Sequence, residues 1–155
     1  MNTAPRPPPA PTTASIRDET LWSAVKNVGI GMAALVAGYA IVALVSTLVQ
    51  EAWLGGVSYQ HSSLRVLILA AIFTPAGGVL GGLVAGSIGR RAPLTHGLAL
   101  FALVAAETTY LIVTHRVDGP VWFEAGAGAT LGAAVVLGSW IAQQRMATMR
   151  IKRGP

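Results

Sequence analysis

The sequence predicts an all-α fold, a bundle of four transmembrane helices that run up, down, up and down. The chain has 155 residues, of which 53% are hydrophobic and only 11% are charged, whereas soluble domains carry about 25% charged residues. Four apolar stretches each reach the roughly 20 residues that a helix needs to cross a hydrocarbon core about 30 Å thick. Too little sequence remains outside them for a second folded domain. We therefore predict one membrane domain.

The four spans and their flanking segments divide the chain in order. The predicted spans are residues 28–49, 66–88, 94–114 and 122–142 of a membrane domain that extends over 16–145. The Pro-rich segment 1–15 has little to bury and predicts a disordered or polyproline II tail. A Ser-Ile-Arg-Asp motif resembles a capping box and predicts a helix start near Ile16 that continues into the first span. Residues 146–155 are expected to form a basic tail.

Glycines recur every fourth residue inside the second and fourth spans, at Gly78, Gly82, Gly86, Gly128 and Gly132. Four-residue spacing places small residues on one helix face, where they let two backbones approach closely in lipid. We expect these glycines to be helix-packing positions. Two interpretations stay open: packing within one compact bundle, and packing against another copy or a larger membrane complex.

A weak duplication also appears, because Phe73, Gly78 and Gly82 correspond at a constant offset of 50 to Phe123, Gly128 and Gly132. Both segments are expected to run in the same direction across the membrane. One interpretation of the bundle is therefore two related helical hairpins.

The third span contains the one acidic residue inside a predicted span interior, Glu107. An ionisable residue in a span is by default a functional hypothesis. Glu107 lies about 12 Å from the outer boundary by helical rise, and Thr74 and Thr130 are expected at the same depth, with Tyr110 on the face of Glu107. We predict an intramembrane polar layer of these four residues. Glu107 is interpreted either as a hydrogen-bonded tie between helices or as a proton- or cation-coupling carboxylate.

Lys and Arg are distributed unevenly between the two ends of the spans. Nine lie in the N-terminal segment, the second connection and the C-terminal segment, and only Arg65 and Arg116 lie in the other connections. The positive-inside rule then predicts cytoplasmic N and C termini, and we expect a bacterial inner membrane. The basic residues expected to contact anionic lipid are Arg90, Arg91, Arg145, Arg150, Lys152 and Arg153.

Residues 77–98 read GGVLGGLVAGSIGRRAPLTHGL. This segment resembles one in small four-span bacterial membrane proteins of unknown function, in which a Gly-rich helix ends in a Gly-Arg-Arg turn and the next begins with a His-Gly pair. The Trp-initiated stretch 122–132, rich in Gly and Ala, is also similar. The resemblance extends from the second to the fourth span and implies no activity.

The sequence contains no cysteine, which excludes disulfides and thiolate metal sites, and it shows no nucleophile elbow or P-loop. We therefore expect no enzyme, no metal, no cofactor and no nucleic-acid partner. The predicted role is a non-catalytic accessory, assembly or stabilising subunit that packs through its glycine-rich faces against other membrane subunits or itself. The alternative is a small oligomeric transporter or channel that uses Glu107 for coupling.

Overall fold

A computed structural model describes residues 13–53, 55, 63–116 and 121–152. Its described part is all-helical. The helices are α1 (Thr13–Thr47), α2 (Leu64–Ile88), α3 (Pro93–Val113) and α4 (Val121–Lys152), and a π-helical turn, Leu48–Trp53, follows α1 directly. Each helix contains a segment long and apolar enough to cross a membrane. The predicted four-helix fold is therefore confirmed, and the chain is a multi-pass membrane protein.

Two helices extend beyond their predicted spans. Helix α1 begins at Thr13, so residues 13–15 of the predicted tail are helical, while residues 1–12 lie outside the described part. Helix α4 continues to Lys152 through most of the predicted basic tail. The added residues at this end include Gln, Arg, Met and Lys, which are good helix formers, so the helix does not end where the apolar stretch ends.

The four helices pack with α2 and α4 at the centre. Helix α2 packs most extensively on α4, and α4 packs almost as extensively on α3, whereas α1 packs mainly on α2 and only sparsely on α3. Contacts at glycines show the relative direction of α2 and α4. Gly78 and Gly86 of α2 lie near Ala134 and Ala142 of α4, respectively. Helices α2 and α4 are thus parallel, and each is antiparallel to its neighbour in sequence.

Small residues are frequent at the helix contacts, and many large apolar residues lie on the outside of the bundle. The central cluster takes one residue from each helix, Val42, Ala85, Leu100 and Val135. Large side chains such as Val36 and Leu80 are more than half exposed. In a bilayer these outward apolar side chains contact lipid, and helix association depends on close backbone approach instead of burial of large side chains.

Candidate functional site

The predicted packing glycines all contact helices of the same chain. A Cβ atom added at Gly78 would lie 2.9 Å from Ala134, and one added at Gly82 would collide with the carbonyl oxygen of Val135. On α4, an added Cβ at Gly128 would lie 2.6 Å from Thr108 of α3. A Cβ atom added at Gly86 would likewise meet Ala142, and one added at Gly132 would meet Phe101. The intramolecular interpretation therefore accounts for all five glycines.

Helix α2 carries a second glycine row that sequence reasoning did not assign to a neighbour. Gly77 lies against Val45 of α1, and Gly81 lies against Val42 and the carbonyl of Gly38. The residues one position later, Gly78 and Gly82, pack on α4. Two adjacent glycine rows thus serve two neighbouring helices, which explains why the span contains more glycine than a single interface requires.

The hairpins use their corresponding glycines differently. Gly128 and Gly132 of α4 pack on α3, the other helix of their own hairpin, whereas Gly78 and Gly82 of α2 pack on α4 of the second hairpin. Residues related by the offset of 50 therefore have different neighbours. This packing lends no support to the predicted duplication.

Ser139 is a buried polar residue that sequence reasoning missed. It is fully buried, and its hydroxyl donates a hydrogen bond of 2.9 Å to the carbonyl oxygen of Gly82. Its Cβ would lie 2.5 Å from a Cβ added at Gly97 of α3. Ser139 therefore joins three helices at one point. Its position directly after Gly138 is the sequence signal that marks it.

Glu107 interacts with α1. Its carboxylate accepts a hydrogen bond from the Tyr39 hydroxyl, and its side chain is exposed. Tyr39 belongs to α1, and because α1 and α3 pack sparsely, the carboxylate lies in an open seam between these two helices. Tyr110, one turn further along α3, is 56% exposed. We call Tyr39, Glu107 and Tyr110 the seam cluster.

The two threonines of the predicted polar layer lie elsewhere. Thr74 and Thr130 line an open pocket between α2 and α4, and the Thr130 hydroxyl donates to the carbonyl oxygen of Gly126 in its own helix, at 2.8 Å. The structure therefore brings the threonines to the same pocket, and it pairs Glu107 with Tyr39. Depth along the spans was insufficient to predict this, because it does not specify which two helices face each other.

The basic residues of the predicted cytoplasmic end are exposed where their side chains are described. Arg91, in the turn after α2, donates a 2.6 Å hydrogen bond to the Asn27 side chain of α1. Arg90 and Arg145 are exposed, and Arg145 lines a shallow groove with Trp140. The side chains of Arg150 and Lys152, and all of Arg153, lie outside the described residues. Whether these residues contact anionic lipid stays a prediction.

Among the described residues, no group of three or more His, Cys, Asp or Glu side chains is placed to hold a metal ion. Comparison of the chain with family models, curated proteins and solved structures gives no match.

Proposed function

We propose that the protein is a non-catalytic subunit that binds another membrane protein, or another copy of itself, through the seam between α1 and α3. The observation that carries this proposal is the exposed carboxylate of Glu107 inside a helix that is long and apolar enough to span a membrane. A polar group facing hydrocarbon is costly unless it has a hydrogen-bonding partner or reaches water. Tyr39 supplies one hydrogen-bond donor to the carboxylate. A helix of the partner would shield the carboxylate from lipid.

The seam is a better candidate interface than the glycine rows. Gly78, Gly82 and Gly86 already contact α4, so a partner would have to displace a helix of the same chain to reach them. The seam cluster, in contrast, lies between α1 and α3, which pack only sparsely on each other. The expected partner is a membrane helix that presents hydrogen-bond donors at the depth of Glu107.

Two substitutions at Glu107 test this proposal. Glu107→Gln keeps a carbonyl acceptor and should preserve the assembly, whereas Glu107→Leu removes every acceptor and should release the protein from it. The measurement is the native mass, and the proteins that co-purify, in mild detergent. Thr109→Val is the matched control, because the Thr109 hydroxyl bonds to the backbone of its own helix on another face of α3. An unchanged native mass of Glu107→Leu would refute the proposed interface.

A second candidate, a small oligomeric transporter or channel, is favoured by the hydrogen bond between Tyr39 and the exposed Glu107 carboxylate. A carboxylate within reach of a hydroxyl in an open seam has the chemistry needed to load and release a proton. In this case Glu107→Gln should abolish proton flux into vesicles that contain a pH-sensitive dye, while the assembly stays intact. The subunit role predicts no flux in the parent protein and no loss of assembly with Gln.

We also propose a bacterial inner-membrane location with both termini in the cytoplasm, supported by the excess of Lys and Arg at one end of the spans. Because the chain has no cysteine, a single introduced thiol is the only site of labelling. It therefore shows on which side of the membrane the substituted residue lies. An impermeant maleimide added to spheroplasts should label Arg116→Cys but not Arg90→Cys, and both should react after lysis. The reverse labelling pattern would overturn the orientation.

A further inference from the structure

A pocket of about 520 Å³ opens between the first halves of α2 and α4. This volume is within the range of small-molecule sites, about 300–1,000 Å³. Its lining residues include Ala71, Thr74, Pro75, Trp122, Ala127 and Thr130. None of the residues that line it is charged.

The pocket exists because the tight glycine contact between α2 and α4 stops short of these ends of the helices. At Gly82 the two backbones touch, but a Cβ added at Gly126, which lines the pocket, would meet nothing within 4 Å. Small side chains such as Ala71 and Ala127 leave the space between the helices unfilled. The opening therefore follows from the residues in this part of the α2–α4 contact.

The apolar wall contains hydrogen-bond acceptors that the helices themselves do not saturate. Pro75 has no N–H group, so the Ala71 carbonyl lacks the donor that an α-helix supplies to residue i−4. The Thr130 hydroxyl gives its proton to Gly126 and keeps only acceptor capacity toward the pocket. The wall is therefore apolar with a local excess of acceptors.

We propose that this pocket binds a compact apolar molecule with a single hydroxyl donor, of the alkylphenol or terpene-alcohol kind. The ligand would enter from the bilayer, fill the space between Trp122 and Thr130, and donate its hydroxyl proton to the Ala71 carbonyl. An uncharged molecule of this type partitions into hydrocarbon, and its one donor matches the acceptors in the wall. The inference is independent of the role proposed for Glu107.

The test uses Trp122 as a reporter in the full-length protein reconstituted in phosphatidylcholine vesicles. The substitutions Trp22→Phe, Trp53→Phe and Trp140→Phe leave Trp122 as the only indole. A brominated alkylphenol and its methyl ether, which differ only in the donor, are compared as fluorescence quenchers at matched mole fractions in the bilayer. The phenol should quench saturably, with half-saturation at about a fivefold lower mole fraction than the ether, the effect of one net hydrogen bond.

Variants then locate the ligand. Ala127→Leu fills the pocket and should abolish saturable quenching by both probes. Pro75→Ala restores a backbone donor to the Ala71 carbonyl and should make phenol and ether equivalent. A protein that keeps only Trp140, at the other end of α4, should show no preference for the phenol.

Three results would overturn the proposal: equal half-saturation by the two probes in the Trp122 protein, unchanged quenching of Ala127→Leu, or an unchanged preference in Pro75→Ala. If Pro75→Ala closes the pocket to both probes, the proposal is decided by two other results. These are the ratio of the half-saturation mole fractions of phenol and ether in the Trp122 protein, and the quenching of Ala127→Leu.

Discussion

The two pairs of parallel helices in this bundle are held together in opposite ways. Helices α2 and α4 touch backbone to backbone, with Gly82 against the carbonyl of Val135 and Gly138 against the carbonyl of Val79. Helices α1 and α3 pack sparsely, and between them the Tyr39 hydroxyl bonds to an exposed Glu107. The difference indicates that close approach supports the fold, while the polar contact marks a surface that the fold leaves open.

The largest expected effect is at the α2–α4 contact. Gly138→Ala places a methyl group against the carbonyl of Val79, and a backbone cannot move aside as a side chain does. We expect the free energy of unfolding, measured by SDS titration in mixed micelles, to fall by about 3 kcal/mol. Gly126→Ala in the same helix meets nothing within 4 Å and should leave it unchanged or raise it by about 0.5–1 kcal/mol. Equal effects of the two substitutions would show that the close contact between α2 and α4 does not stabilise the fold.

A smaller loss is expected where the obstructing group is a side chain. Gly77→Ala brings a methyl group within 2.6 Å of Val45, which should cost about 1–2 kcal/mol in the same titration. Val45→Ala in the same molecule removes the γ-carbon at 2.6 Å but keeps the Cβ at 2.8 Å, so it should recover part of that loss in a double-mutant cycle. An additive cycle would show that the cost arises from α2 itself and not from its contact with α1.

Removal of the hydrogen bond between Ser139 and Gly82 should have a modest effect on the free energy of unfolding. Ser139→Ala deletes the donor to the Gly82 carbonyl and keeps the Cβ that packs near Gly97. The expected loss in unfolding free energy is about 0.6 kcal/mol and at most about 1.7 kcal/mol, the range of such bonds in membrane bundles. Ser87→Ala, at an exposed position of α2, is the control. A loss above 3 kcal/mol would mean that Ser139 has a larger role than this one bond.

The smallest effect is expected at the α1–α3 seam. Tyr39→Phe removes the donor to Glu107, but the bond crosses a sparsely packed contact whose carboxylate stays exposed. The free energy of unfolding of the isolated bundle should fall by no more than about 0.6 kcal/mol. A loss of unfolding free energy as large as that of Gly138→Ala would show that the seam stabilises the bundle itself. It would remove the reason to regard the seam as an interface.

Sequence reasoning predicted the class and the spans because composition and length alone test whether a helix can cross a bilayer. It found Glu107 because a carboxylate is conspicuous in an apolar stretch. It did not pair Glu107 with Tyr39 or find Ser139, since periodicity places a residue on a face of its own helix without identifying the helix opposite. The seam and the pocket both depend on that second piece of information.

The amino-acid sequence is sufficient to predict four membrane-crossing helices and the small residues at which backbones approach. Which helices approach there depends on the tertiary fold. With two glycine rows on α2, one row meets α1 and the other meets α4, so α3 is left with little contact to α1. The physical reason is that close packing in lipid depends on complementary surfaces of two helices, and no single stretch of sequence contains both.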